Sequence, residues 1–212
     1  MFINFVAFNF QSSDLEAEER NYLGHHVGLA RQMPGLKFYY TGRTMPVNGV
    51  KPEVFRAAIL GYESAEIAAT GAKSDLMPPL RADTQAHLKD LRYRTIDAET
   101  IVPFDSRKPH QPCFVMAAEF DLEQNAGKEA AERHYLDTHT HIARRLPGLR
   151  NYIIGKLDPK NADRYRIAIL TFDSLEALRD AYRSPIGREL VRDEEATIRN
   201  ARVWRLDARV EV

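Results

Sequence analysis

Two tyrosine–histidine pairs with the same spacing are the groups in this chain best suited to chemistry. They are Tyr22 with His26 and Tyr135 with His139. Residues four apart on a helix lie one above the other, so each pair would present a phenol beside an imidazole. Imidazole titrates near neutral pH and can transfer protons, and a phenol can orient it or polarise a carbonyl. The pattern therefore predicts that these four residues are catalytic.

Each pair belongs to a helical stripe that is otherwise apolar. The stripe continues through Leu29 and Met33 after the first pair, and through Ile142 and Leu146 after the second. An apolar stripe turns toward the protein interior, so we expect both pairs to face the layer between helix and sheet. A buried core histidine with satisfied ring nitrogens is the alternative interpretation, and the recurrence of the pair does not separate the two.

A second set of side chains is predicted to bind a substrate. Tyr39 matches Tyr152 on a strand, and Arg56 matches Arg166 on the next strand, whereas His141 has no counterpart. We predict that Tyr39, Tyr152, Arg166 and His141 contact the substrate. An arginine on an apolar strand face can bind a carboxylate or a phenolate. An ion pair within the protein is the alternative role for both arginines.

The residue types and their spacing in the sequence do not indicate a metal site or a nucleotide site. Adjacent or alternate histidines, such as His139 and His141, point in different directions on a helix. Cys113 is the single cysteine, so a cysteine-based zinc cage is excluded. The chain has no glycine-rich nucleotide-binding loop and no GxSxG hydrolase motif. We therefore predict neither a metal nor a cofactor.

The tyrosine–histidine pairs are parts of a longer internal repeat. An offset of 113 residues aligns 19–43 with 132–156 and gives 12 identities in 25 positions. About one or two would be expected for unrelated segments of average composition. An offset of 110 then extends the match from Arg56 and Arg166 to Ala98 and Ala208. We predict two copies of one module, at residues 1–103 and 112–212.

Hydrophobic periodicity predicts the element order β-α-β-β-α-β in each copy. The strands are predicted at 2–10, 36–43, 54–62, 91–97, 113–120, 149–156, 164–172 and 201–207. The first helices are predicted at 14–33 and 126–146, and the second helices follow Ser64 and Ser174 and break at Pro78-Pro79 and Pro185. This order is that of the ferredoxin-like fold. We expect two antiparallel sheets packed face to face, with independently packed tandem modules as the alternative.

Composition excludes several classes of protein. Thirty Lys and Arg balance thirty Asp and Glu among the 212 residues, so no net charge recruits nucleic acid. No run approaches the roughly 20 apolar residues of a membrane helix, and the apolar N-terminus lacks a positive leader. The single cysteine suits a reducing compartment. We expect a cytoplasmic protein that binds neither nucleic acid nor membrane.

Several segments of the second copy resemble the EthD-like family of the dimeric α+β barrel superfamily. They are the Tyr135-x-x-x-His139 motif, 145–149 (RLPGL), 165–174 (YRIAILTFDS) and 184–187 (SPIG). The first copy matches more loosely, through Tyr22, His26 and the Pro-Gly-Leu that follows Met33. The resemblance implies an α+β fold in which two ferredoxin-like βαββαβ modules close into a barrel within one chain. It also implies pockets between each sheet and its helices.

The superfamily includes cyclases, isomerases, dehydratases, decarboxylases, cofactor-free monooxygenases and heme-handling enzymes. We expect cofactor-free proton transfer by His139, oriented by Tyr135, on a hydrophobic aromatic or carbonyl compound. The reaction would be that of an isomerase, cyclase, dehydratase or decarboxylase. One alternative is a non-catalytic binding or accessory protein for an apolar ligand, and another is a heme-binding monooxygenase. The helices on the outside of the barrel would allow two chains to associate, so a homodimer is a further expectation.

Overall fold

A computed structural model describes residues 1–103, 109–125 and 127–212 of the chain. Below, the N-terminal half means residues 1–103 and the C-terminal half means residues 112–212. The charged part of the expected linker, 105–108, and the expected helix start at residue 126 lie outside the described residues. The expected division of the chain into two domains stays a prediction.

The described strands form one closed antiparallel barrel in the order β1-β3-β2-β8-β5-β7-β6-β4. They are β1 (Phe2–Phe10), β2 (Leu36–Thr44), β3 (Arg56–Tyr62), β4 (Leu88–Val102), β5 (Pro112–Leu122), β6 (Asn151–Leu157), β7 (Arg166–Phe172) and β8 (Ile198–Val210). Each half contributes four neighbouring strands in the ferredoxin-like order 4-1-3-2. The predicted α+β fold, with two such sheets in an intrachain barrel, is confirmed.

Helices cover the outside of the barrel. They are α1 (Leu15–Asn21), α2 (Val27–Ala30), α3 (Ala65–Gly71), α4 (Met77–His87), α5 (Lys128–His134), α6 (Thr140–Ala143), α7 (Leu175–Arg183) and α8 (Pro185–Thr197). The side chains of Ser64 and Ser174 cap α3 and α7, as the sequence predicts. The second helix of each half is interrupted: α8 begins at Pro185 as predicted, whereas in the N-terminal half the break lies between Gly71 and Met77, and Pro78 lies in the first turn of α4. None of the described helices has the length and apolar character needed to cross a membrane.

Two seams join the halves edge to edge. Strand β2 pairs with β8, and β4 pairs with β6. This pairing excludes independently packed modules. It also explains why β4 and β8 run longer than the predicted 91–97 and 201–207. Each of these strands pairs with its own sheet along one part and with the other half along the rest.

A repeated glycine lies at each seam. A Cβ on Gly42 would come within 2.6 Å of the Asp207 carbonyl oxygen, and one on Gly155 within 2.8 Å of the Asp97 carbonyl oxygen. Real Cβ atoms do not approach backbone so closely. The two glycines that the sequence alignment pairs therefore lie at positions where neighbouring strands come too close for a side chain.

Strand alternation divides the side chains between two layers. Ile3, Phe5 and Ala7 of β1 pack inside the barrel, whereas Val6 and Phe8 face the helices. The barrel interior is apolar, with residues from both halves, including Val115, Ile153, Ile167, Trp204 and Leu206. The layer between sheet and helices forms a separate apolar cluster in each half. This second layer holds the tyrosine–histidine pairs.

Glu119 is a charged side chain on β5. It is fully buried, and its carboxylate accepts from Arg94 Nε at 3.0 Å and from Arg202 Nη1 at 3.2 Å. Two arginines from different halves thus neutralise it, which links β4 of one half to β5 and β8 of the other.

Candidate functional site

Each tyrosine–histidine pair lies in a π-helical turn between two α-helical segments. The turns are Tyr22–His26, between α1 and α2, and Tyr135–His139, between α5 and α6. The backbone N–H that follows each turn donates to the tyrosine carbonyl five residues earlier. Such turns are rare and occur often at functional sites. The sequence predicts an uninterrupted helix here, because side-chain spacing alone does not distinguish one widened turn.

The rings within each pair stack on one another. The ring centroids of Tyr22 and His26 lie 5.0 Å apart with an interplanar angle of 20°, and those of Tyr135 and His139 lie 5.1 Å apart at 17°. Both tyrosines are buried against the sheet. The structure therefore brings each predicted pair together and turns both pairs toward the layer between helix and sheet.

An aspartate from α4 or α8 completes each pair. Nδ1 of His26 lies 2.7 Å from Oδ2 of Asp83, and Nδ1 of His139 lies 2.7 Å from Oδ2 of Asp193. With Nδ1–H donating to the carboxylate, the neutral ring keeps its lone pair on Nε2. A base oriented by a carboxylate in this way is a common arrangement for proton transfer.

Burial controls the protonation of both imidazoles. It lowers the pKa of His26 below its ordinary 6.5, and the Asp83 contact offsets this only in part. Burial also lowers the pKa of His139, against the opposing effect of Asp193. Both rings are accordingly neutral at pH 7 and available as bases.

The two aspartates have different surroundings. Asp83 also lies 3.9 Å from Nε2 of His25 and 4.0 Å from Nε2 of His87, and it accepts from the Asn21 amide at 3.3 Å. Asp193 instead has a second short contact, because its Oδ1 lies 2.7 Å from Nε2 of His134. Across the described ranges, no group of three or more His, Cys, Asp or Glu side chains is arranged to hold a metal ion.

The phenols of the N-terminal half form a hydrogen-bonded chain. The hydroxyl of Tyr22 lies 3.0 Å from that of Tyr39 and 3.1 Å from Oγ1 of Thr41, which donates onward to the Ala57 carbonyl. Burial raises the pKa of Tyr22, and it raises that of Tyr39 well above 10. Both phenols therefore stay protonated at neutral pH and can donate to an oxygen.

The C-terminal half lacks this chain. Ile154 stands at the position that Thr41 occupies in the repeat. The hydroxyls of Tyr135 and Tyr152 are buried and interact with each other, but among the described residues neither makes a hydrogen bond of good geometry. Burial raises the pKa of Tyr135 to about 12 and that of Tyr152 well above 10. Matching tyrosines thus have different surroundings in the two halves.

Both repeated arginines form ion pairs with a glutamate of the neighbouring helix. Arg56 pairs with Glu19, and Nε of Arg166 donates to Glu132 at 3.0 Å. Each guanidinium also lies over the ring of its tyrosine, at 5.0 Å from the Tyr22 centroid for Arg56 and 4.7 Å from that of Tyr135 for Arg166. The predicted substrate ligand Arg166 therefore has a partner within the chain.

A cavity of about 590 Å³ lies between sheet and helices in the N-terminal half. Tyr22, His26 and Tyr39 line it together. Most of its other wall is apolar: Val6, Phe8, Ala30, Met33, Ala58, Leu60, Ala68, Met77, Leu80, Leu88 and Leu91. Three of the predicted site residues therefore face a hydrophobic space large enough for a bicyclic compound.

The C-terminal half contains a cavity of about 630 Å³ with different chemistry. Tyr182, Glu194 and Arg205 are among its lining residues, whereas Tyr135, His139 and Tyr152 are not. His139 has a side chain only 5% exposed, and His141 is exposed on the outer side of the helix. The structure thus does not bring His141 to the other predicted residues.

The sequence pattern does not mark several polar residues of these sites as chemical candidates, among them Asp83, Asp193, Tyr182 and Glu194. Asp83 and Asp193 match each other in the repeat, and this identity was the signal available in the sequence. Tyr182 and Glu194 carry no such signal, because the repeat places Ala72 and Thr84 at their positions. Only the packing of α7 against α8 brings them to one cavity.

Comparison with known proteins confirms the family resemblance. Residues 123–198 match the family model described as EthD domain. A search of curated protein sequences finds no match.

Several solved structures share the fold along the whole chain. A candidate monooxygenase from Fusobacterium nucleatum has a TM-score of 0.75 at 12% identity, covering 99% of this chain and 93% of its own. A candidate monooxygenase from Lactobacillus acidophilus has a TM-score of 0.68 at 12% identity, covering 100% and 95%. An anthrone oxidase-like protein has a TM-score of 0.60 at 12% identity, covering 100% and 91%. At these identities the likeness concerns the fold.

Proposed function

Because residues 123–198 match the EthD domain family model, we propose that this protein is an enzyme that acts on a small apolar aromatic or carbonyl compound. The reaction we propose is proton transfer in the cavity of the N-terminal half, without a cofactor. One observation carries the proposal: His26 lines an apolar cavity of about 590 Å³ while Asp83 holds its Nδ1. The ring thereby keeps Nε2 free for a substrate proton.

The base in this mechanism is neutral His26. Its Nε2 takes a proton from a carbon next to a carbonyl, and the C–H electron pair moves to the carbonyl oxygen to form an enolate. Asp83 stabilises the imidazolium that results. With Tyr22 donating to Tyr39, the protonated hydroxyl of Tyr39 at the cavity is placed to donate to the enolate oxygen. Return of the proton to another carbon completes an isomerisation.

His139 with Tyr135 remains the second candidate base. It has the same contact to its aspartate and the same stack on its tyrosine. Its side chain is more buried than that of His26, at 5% against 12% exposed, and it does not line the large C-terminal cavity. Substrate access therefore favours His26, and paired variants distinguish the two histidines.

Isotope exchange provides the direct test. In D₂O, native protein should replace the α-protons of 2-tetralone, an apolar aromatic ketone, faster than the buffer does, as followed by proton NMR. His26→Gln should reduce this exchange to near the buffer rate, with His139→Gln as the matched control. If neither native protein nor any variant exceeds the buffer rate with a panel of such ketones, the non-catalytic binding protein becomes the better interpretation.

Oxygenation is a second candidate function, favoured by the descriptions of the structural neighbours as candidate monooxygenases and as anthrone oxidase-like. A carbanion formed at His26 could react with O₂, so that a CH₂ group and O₂ give a ketone and water. Oxygen uptake with anthrone, lost in His26→Gln, would support this reaction.

Heme binding remains a separate prediction, and a heme absorption band after reconstitution would support it. A homodimer also remains a prediction, and size-exclusion chromatography with light scattering would test it.

A further inference from the structure

We propose that the C-terminal cavity is a second binding site, which takes an apolar carboxylic acid with its carboxylate at Arg205. This site is separate from the proton-transfer site at His26. Its lining residues come from β5, β8, α7 and α8, together with Val47 and Asn48 of the N-terminal half, and none of them belongs to a tyrosine–histidine pair.

The cavity walls fit an apolar ligand body. The volume is about 630 Å³, which accommodates a fused two-ring compound with space to spare. The apolar lining residues come from sheet and helices: Met116, Ala118, Phe120, Leu175, Leu178, Ile198, Ala201 and Val203. An apolar ligand that bound here would transfer its hydrocarbon surface from water to the apolar walls of the cavity, which is favourable.

Arg205 is the polar group that most needs a partner. Its Nε is buried with no hydrogen-bond partner among the described residues. The other arginines of β8 all form ion pairs, namely Arg199 with Glu123, Arg202 with Asp163 and Arg209 with Glu211. A buried, unpaired N–H of a cation is costly, and a carboxylate would satisfy it with a charge-assisted hydrogen bond. This need points to an anionic ligand.

Glu194 and Tyr182 provide the second polar contact. The Tyr182 hydroxyl donates to Oε1 of Glu194 at 3.4 Å, and both side chains line the cavity. Burial raises the pKa of Glu194 to about 7. Below that pH the carboxyl carries a proton, so it does not repel an anion and can donate to one.

The charged groups around Glu194 come from several elements. Arg179 and Arg183 of α7, Arg205 of β8 and Glu195 of α8 line the same cavity, and Asp193 precedes Glu194 on α8. Strand β5 contributes only apolar side chains to the wall. Cations from two elements thus face the cavity.

The N-terminal half has no equivalent of this polar set. The repeat places Ala72, Thr84 and Thr95 at the positions of Tyr182, Glu194 and Arg205. The two cavities therefore differ in the chemistry of their ligands, and the C-terminal cavity should prefer an acid over a neutral compound of the same shape.

Calorimetric titration of two matched probes tests this preference. At pH 6, native protein should bind 2-naphthoate at least tenfold more tightly than 2-naphthamide. Arg205→Met should weaken 2-naphthoate at least tenfold and leave 2-naphthamide unchanged. Arg199→Met, on the same strand but outside the cavity, is the control and should bind like native protein. Unchanged 2-naphthoate binding in Arg205→Met would overturn the proposal, and so would equal binding of the two probes to native protein.

A second variant keeps the test valid if Arg205→Met does not fold. Between pH 6 and pH 8.5 the native affinity for 2-naphthoate should fall several-fold, because Glu194 ionises and repels the carboxylate. Glu194→Gln should remove this fall. A decrease of equal size in Glu194→Gln would contradict the assigned site. His26→Gln should leave the binding of 2-naphthoate unchanged. The binding result is therefore independent of whether the proposed proton transfer at His26 occurs.

Discussion

His26 and Asp83 are 57 residues apart in the chain, yet Nδ1 of one lies 2.7 Å from Oδ2 of the other. The contact joins the π-helical turn to α4, and so it connects two neighbouring helical segments of the N-terminal half. It also sets the tautomer of the imidazole that faces the cavity. The contact with Asp83 thus sets both the orientation and the tautomer of the His26 ring at the cavity.

The two histidines should respond differently to the same substitution. His26→Gln should lower the rate of α-proton exchange by about 10²–10⁴-fold, the usual contribution of a general base. His139→Gln should keep most of the exchange and lower stability instead, because His139 is buried away from the large cavity. Exchange rates and urea midpoints of both variants check this. The reverse pattern would transfer the catalytic role to His139.

Asp83→Asn should act through the pKa of His26. The carboxylate raises this pKa against burial, so its loss should lower the pKa further. The acid limb of the rate–pH profile should then move to lower pH, and the maximal rate should fall because the imidazolium loses its counter-charge. NMR titration of the His26 ring protons measures the pKa directly. A limb that stays in place would indicate that Asp83 only supports the fold.

Acid should destabilise the protein through its buried histidines. The pKa values of His26 and His139 are lower in the folded chain than the ordinary 6.5. The unfolded chain therefore binds more protons as the pH falls, and the stabilisation present above pH 6.5 is lost below it. Urea unfolding at pH 7.5 and pH 5 should show this loss, and His139→Phe should reduce the loss relative to native protein. An equal loss in that variant would assign the acid sensitivity to other groups.

The ion pair between buried Arg166 and partly exposed Glu132 should depend on both partners. Arg166→Met leaves the Glu132 carboxylate with Lys156, at 3.7 Å, as its remaining cation, and it should cost about 1–3 kcal/mol of unfolding free energy. The double variant with Glu132→Gln removes the charge as well and should recover much of that loss. Denaturant unfolding of the single and double variants measures the coupling. Strict additivity would show that the two side chains act independently.

Gly155 should be essential for closing the barrel. Gly155→Ala places a Cβ 2.8 Å from the Asp97 carbonyl oxygen, so β4 and β6 must separate locally. We expect a lower melting temperature and faster amide exchange in both strands. Gly28→Ala is the matched control, because nothing lies within 4 Å of its added Cβ and alanine favours a helix by up to about 1 kcal/mol. Equal melting temperatures for the two variants would contradict the role of Gly155.

Local patterns in the sequence were enough to predict the order of strands and helices, the starts of α3 and α7 at Ser64 and Ser174, and the inward direction of both tyrosine–histidine pairs. These features depend on side-chain periodicity, capping and proline geometry, which act between residues close in the chain. The repeat also marked Gly42 and Gly155 as equivalent, although their role at the seams was not visible.

Tertiary structure alone decided which of these residues meet across the chain. Asp83 reaches His26 only because α4 packs over the π-helical turn. Arg205 reaches the cavity of Glu194 only because β8 lies under α8. The seams of the barrel lengthened β4 and β8. Contacts between residues distant in sequence depend on packing of whole layers, and no local periodicity records which side chains that packing brings together.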